Sequence, residues 1–278
     1  MQLAPCHPSQ SSQLCNKDKT LNRKRQAGFT LIELSIVLVI IGLIVGGVLV
    51  GRDLIRAAEI RSIATQKETI ITSIMTFKLK YNCIAGDCAN ATNFFGTNPA
   101  GCVVATPTDS APTKQTCDGN GDGNINITTQ VEPYLIWQHL SASDLWPGLF
   151  RGADITDGYD NTVLASISST ANQFWYLENN QSGYWGSGEL YGSFGTKNLL
   201  GPAYGTGSTD GILFTPAEAF SFDSKYDDGK PAFGTIQMLN DGYLPGCVTP
   251  ESYPAPTAAY DMSVTEKKCS AIFLNIGF

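Results

Sequence analysis

A run of 23 residues, Phe29 to Gly51, reads FTLIELSIVLVIIGLIVGGVLVG and holds one charge, Glu33. As a helix rising ~1.5 Å per residue it extends ~34 Å, enough to cross a hydrocarbon core of ~30 Å. Arg23, Lys24 and Arg25 stand just before it. A lone carboxylate five residues into an apolar helix is costly in lipid, so Glu33 reads as a functional group. An ordinary secretory signal fits poorly. Its apolar region spans about 7 to 15 residues and its cleavage site follows that region.

Charge divides at the same place. Residues 1 to 28 carry a net +4 and the rest of the chain −11, which together give −7. A basic leader stays on the cytoplasmic side. An acidic exported domain is a poor partner for nucleic acid, which needs clustered Lys and Arg. Charged residues are only 15% of the chain while Gly, Asn, Ser and Thr abound, as in a loop-rich extracellular domain. Plentiful aromatics argue against disorder.

Gly28-Phe29-Thr30-Leu31-Ile32-Glu33 resembles the processing and assembly signature of type IV pilins and type II secretion pseudopilins, a likeness that runs over residues 23 to 80. The resemblance implies that a prepilin peptidase cuts after Gly28 and N-methylates Phe29. It implies that Glu33 is retained and pairs with the new amino group of Phe29, on its own or a neighbouring subunit. The expected partners are further copies in a homo- or hetero-polymeric filament, the inner-membrane assembly machinery, and membrane lipid before assembly. The expected location is the bacterial inner membrane as precursor with the head in the periplasm, then a periplasmic pseudopilus or a cell-surface filament. Many type IV pilins carry proline at the 22nd mature position; Val50 stands there. Gly42, Gly46, Gly47 and Gly51 offer flexibility or close helix packing instead.

The expected organisation is a basic leader over 1–28, a transmembrane and filament-core helix over 29–51, an amphipathic helix over 52–82 and a disulfide-bearing head over 83–278. No proline occurs between Phe29 and Asn98. Ile60, Ile63, Ile70, Ile74, Phe77 and Tyr81 recur at steps of three, four or seven, with Ala64, Ile71 and Met75 beside them and Lys67 interrupting. The spacing predicts a further helix over 132–145, opening on Pro133. It predicts strands over Thr162 to Ile167, Gln173 to Leu177, Gly211 to Phe214, Phe233 to Leu239 and Ala271 to Phe278. Thr215-Pro216-Ala217-Glu218 is a capping box that starts a short helix running to Phe222. The fold class is α+β, one long helix packed on an antiparallel sheet with large loops.

Cys6 and Cys15 leave with the leader. Cys83, Cys88, Cys102, Cys117, Cys247 and Cys269 remain, an even number that reads as disulfides in an exported domain. Fifteen pairings are open. Neighbour pairing gives Cys83–Cys88, Cys102–Cys117 and Cys247–Cys269, the last resembling the C-terminal disulfide-bounded loop of many type IV pilins. Zinc competes, but no CxxC pair exists.

Asp118-Gly119-Asn120-Gly121-Asp122-Gly123-Asn124-Ile125 matches an EF-hand-type calcium loop at positions one, three, five, six and eight. Asp118, Asn120 and Asp122 would supply side-chain oxygens and Asn124 its carbonyl. Position twelve is Thr129, so the bidentate ligand is missing or comes from elsewhere, with Glu132 a candidate. The competing reading is a Gly/Asp/Asn turn. Asp223, Asp227 and Asp228 form a weaker candidate.

Enzyme signals are thin. His139 is the only histidine beyond the leader and lies beside Trp137 on an apolar helix, so it reads as packing. Gly186-Ser187-Gly188 lacks the GxSxG pattern. Trp175, Tyr176, Tyr184, Trp185 and Tyr191 read as sheet core ahead of a sugar-binding patch. The chain therefore reads as a non-enzymatic structural subunit of a pilus-like or pseudopilus filament. The rivals are a minor or tip subunit and a membrane-tethered adhesin; an anchored hydrolase is disfavoured.

Overall fold

The computed structural model describes residues 28–98, 114–125, 132–150, 165–166, 173–179, 198–204, 211–238, 246–249, 257–274 and 276. The leader up to Ala27, Cys102, Thr129, Tyr184, Trp185, Tyr191 and the Gly186–Gly188 segment lie outside the described residues. The chain divides into two compact units, Met1–Asp53 and Leu54–Phe278. Helix α1, Leu31–Tyr81, contributes to both. Its unbroken course follows from the lack of proline and from long runs of straight-chain and branched apolar residues.

In the first unit α1 keeps its apolar side chains exposed, from Leu31 through Val50. The segment has a mean hydropathy of 2.9 and is long and apolar enough to cross a membrane. In the second unit α1 buries Ile63, Ala64, Ile70, Ser73, Ile74 and Phe77. Ile60, Ile71 and Tyr81 pack against the same core. Lys67 stays on this stripe because its ammonium pairs with Glu68 at 2.8 Å and lies 5.4 Å from the centre of the Phe273 ring. The long aliphatic stem thus covers apolar surface while the charge is met.

The remaining helices are α2 (Ala91–Phe95), α3 (Glu132–Ala142) and α4 (Pro216–Tyr226). The strands are β1 (Ala165–Ser166), β2 (Gln173–Asn179), β3 (Asn198–Tyr204), β4 (Ile236–Met238), β5 (Val248–Thr249), β6 (Ala259–Tyr260) and β7 (Ala271–Phe273). The main sheet is antiparallel in the order β1-β2-β3-β7-β4, with β5 and β6 paired apart from it. The architecture is α+β. Among the described residues, Trp137, Trp175, Phe77, Phe214 and Phe273 are the largest fully buried side chains.

Several elements depart from the pattern reading, among them the unexpected α2, β5 and β6. Gly211 to Phe214 forms no strand; Phe214 makes one bridge, to Cys269. Thr215 must already adopt the cap geometry of α4, and Pro216 has no N–H for a ladder. Strand β3 is hidden in the sequence by Gly201 and Pro202, which argue against a strand interior. It pairs with β2 along its length but meets β7 only at Leu200, so no ladder bond to β7 is asked of Pro202. Helix α4 runs one turn past Phe222, to Tyr226. Cys83–Cys88 and Cys247–Cys269 are bonded. Cys117 is also disulfide-bonded, and Cys102, its expected partner, lies outside the described residues.

Candidate functional site

The N-terminal segment is built from a capping box. The backbone N–H and hydroxyl of Thr30 both donate to Glu33 Oε2, at 2.8 and 2.7 Å, and the Glu33 N–H donates to Thr30 Oγ1 at 3.3 Å. Glu33 thus closes over the first turn of α1. The Thr-x-x-Glu spacing that signals this box is present in the sequence, inside the apolar run. Gly28, Phe29 and Thr30 are exposed. Among the described residues no cation pairs with Glu33.

The 118–125 loop has an unexpected organiser, Asp87. Its Oδ1 accepts the N–H groups of Gly121 at 2.7 Å and Asp122 at 3.0 Å, and its Oδ2 that of Gly123 at 2.9 Å. Gly121 and Gly123 have φ of +76° and +86°, which turns their amides toward one carboxylate. At Gly119 a Cβ would lie 2.4 Å from the Gly86 carbonyl oxygen, so only glycine fits. Burial still holds the Asp87 carboxyl above its ordinary range, against the pull of these three amides.

The predicted calcium donors are arranged as follows. Asp118 spends both oxygens on Thr92, at 2.8 Å from its N–H and 2.9 Å from its hydroxyl. Asn120 and Asp122 bond each other, and Asp122 Oδ1 accepts the Asn124 N–H at 2.8 Å. Glu132 reaches the loop, where its fully buried carboxylate accepts the Asn120 N–H at 3.1 Å. Asp87 and Glu132 thus hold the amides of the loop, beside the predicted calcium donors.

A second acidic group gathers where α4 ends. One oxygen each from Asp223, Asp227 and Asp228 lies within 4.8 Å of the others. Asp223 is fully buried, and its Oδ2 accepts the Tyr260 hydroxyl at 2.6 Å. Burial pushes Asp223 up to about 6, against the Tyr260 hydroxyl, and the charges of Asp228 and Asp227 push the same way. Burial and Asp223 drive the Tyr260 phenol up as well.

His139 is wholly buried and stacks on Phe77 with ring centres 5.8 Å apart. Its Nδ1 accepts the Gly86 N–H at 2.9 Å, so Nε2 carries the proton and donates to the Cys117 carbonyl at 3.0 Å. Burial pulls its pKa down to about 4. Trp175 is also fully buried and donates from Nε1 to Gln66 Oε1 at 2.7 Å, so it is core. Arg56 ties α1 to α4. Its Nε and Nη2 donate to the two oxygens of Glu218 at 2.7 and 2.8 Å, and Nη2 also donates to the Leu213 carbonyl.

Residues 23–49 match the family model of the prokaryotic N-terminal methylation motif. Searches of the curated proteins and of the solved structures found no match. The N-terminal region thus carries the type IV pilin and pseudopilin signature, and the match takes in Gly28, Phe29 and Glu33. The motif implies processing by a prepilin peptidase and assembly into pilus-like filaments. With the apolar part of α1, it fits a membrane-anchored precursor.

Proposed function

We propose that this protein is a structural subunit of a type IV pilus-like or type II secretion pseudopilus filament, assembled through α1 after cleavage between Gly28 and Phe29. The observation that carries this reading is the Thr30–Glu33 box at the head of an exposed apolar helix, directly beyond the Gly-Phe junction. Cleavage creates a free amine at Phe29, the residue before Thr30, close to a carboxylate that has no cation among the described residues. The head stays in the periplasm while α1 is in the inner membrane, and the helices bundle in the filament. The function is assembly and not catalysis. Intact mass and N-terminal sequencing of the protein recovered from cells should give a chain that begins with methylated Phe29. A mature chain that keeps Arg23 to Gly28, or one cut after Val50, contradicts the reading. Immunogold labelling then separates a major subunit, found along the filament, from a minor or tip subunit.

Calcium at Asp118, Asn120, Asp122 and the Asn124 carbonyl is a separate proposal for the head, supported by the oxygen donors and the exposure of Asp118, Asn120 and Asp122. Asp118→Ala with Asp122→Ala should abolish any calcium-induced rise in the unfolding temperature that originates there.

A further inference from the structure

We propose that Asp223, Asp227 and Asp228 form a binding site for a hard divalent cation of the calcium class. Two oxygens each ~2.4 Å from one ion lie at most ~4.8 Å apart. The three carboxylates meet that limit.

In each carboxylate one oxygen accepts a hydrogen bond that fixes its orientation. Asp223 Oδ2 accepts the Tyr260 hydroxyl, Asp227 Oδ2 accepts the N–H groups of Thr235 and Ile236, and Asp228 Oδ1 accepts the Lys230 N–H. The second oxygen of Asp223, Oδ1, is buried and has no hydrogen-bond partner. An orphaned carboxylate oxygen in a fully buried side chain is costly unless something meets it. Beside two further carboxylates, a cation would both meet this oxygen and offset the clustered charge.

The surroundings add to that demand. The cluster sits at the C-terminal end of α4, where the helix dipole is negative. Lys225 directs its ammonium over the Tyr226 ring, and Lys230 contributes its backbone N–H. Among the described residues no ion pair reaches any of the three carboxylates. All donors are oxygen, which suits calcium over a transition metal. Asp227 is half-buried and Asp228 exposed, so water can complete the coordination.

Terbium, a luminescent stand-in for calcium, tests the site on the full chain in detergent micelles. Tyr260, bonded to Asp223, is placed to sensitise it. Wild type should show tyrosine-excited terbium emission that calcium chloride displaces. Asp227→Asn with Asp228→Asn changes two accessible side chains and should weaken binding at least about tenfold. Asp223→Asn should do the same, and the double variant decides the matter if that one does not fold. Asp118→Ala with Asp122→Ala removes any terbium held by the 118–125 loop and should leave the calcium-displaceable emission sensitised by Tyr260 in place. No displaceable emission in wild type, equal binding by the Asp227/Asp228 variant, or loss confined to the Asp118/Asp122 variant overturns the proposal.

Discussion

Two helices of this protein open on the same Thr-x-x-Glu box, and their glutamates end differently. At α4, Thr215 Oγ1 accepts the Glu218 N–H, and Glu218 Oε2 accepts the Thr215 N–H. Both Glu218 oxygens are then taken by Arg56, within a half-buried joint between α1 and α4. At α1, Thr30 and Glu33 make the same reciprocal bonds, with no cation among the described residues. A capping carboxylate is at home near the positive end of a helix dipole in either case. In the head that charge is neutralised inside the chain. At the N-terminus it stands at the start of an apolar segment, and the proposed processing would supply the missing cation as the amine of Phe29. The same local motif thus serves as an internal rivet in one unit and as an open valence in the other.

The sharpest break of this comparison is Glu33→Ala. Membrane insertion should persist, because the helix becomes more apolar, while incorporation into filaments should drop by about an order of magnitude or more. Filament yield equal to wild type at equal expression would show that the carboxylate has no partner in assembly.

His139 tests how far burial, and not pairing, sets the head's response to acid. Its folded pKa of about 4 lies below the unfolded 6.5, so the folded state favours the neutral ring. That contribution is complete above pH 6.5 and is lost as pH falls toward 4, by on the order of 3 kcal/mol. His139→Gln should lack this part of the acid sensitivity. Parallel stability-versus-pH curves for the two proteins would contradict the buried neutral assignment.

Arg56→Met should destabilise the head by about 2–3 kcal/mol, because it leaves the half-buried Glu218 without its cation and the Leu213 carbonyl without this donor. Adding Glu218→Gln should recover part of the loss. Strict additivity in that double-mutant cycle would mean the two side chains do not interact.

The smallest effect is at the caps. Thr215→Ala should cost about 1 kcal/mol in unfolding of the head. Thr30→Ala should leave the head's transition unmoved, since its helix end belongs to the other unit. An equal fall in both variants would tie the two boxes to one cooperative transition.

Much of this is legible from residue order. The apolar run, the Gly28-Phe29 junction, the stripe from Ile63 to Phe77 and the box at Thr215 all depend on spacing within one or two turns. Other features depend on contacts across the chain. Asp87 is a plain acidic residue in sequence, and nothing local marks it as the acceptor of amides 34 to 36 residues away. Strand β3 carries glycine and proline that a local rule rejects, and only its pairing with β2 reveals it. Lys67 is a fault in an apolar stripe until Phe273 and Glu68 meet it.

The sequence by itself determined that α1 is long, that its first part is apolar enough to span a membrane and that its head-side stripe must be covered. Those properties follow from periodicity and composition, which a linear chain displays directly. Tertiary structure decided which charges are met. Glu218 found Arg56 across 162 residues, while Asp223 was buried beside Asp227 and Asp228 with one oxygen left over. The reason is physical: the energy of a carboxylate depends on the water, dipoles and cations within a few ångströms of it, and folding alone fixes that neighbourhood.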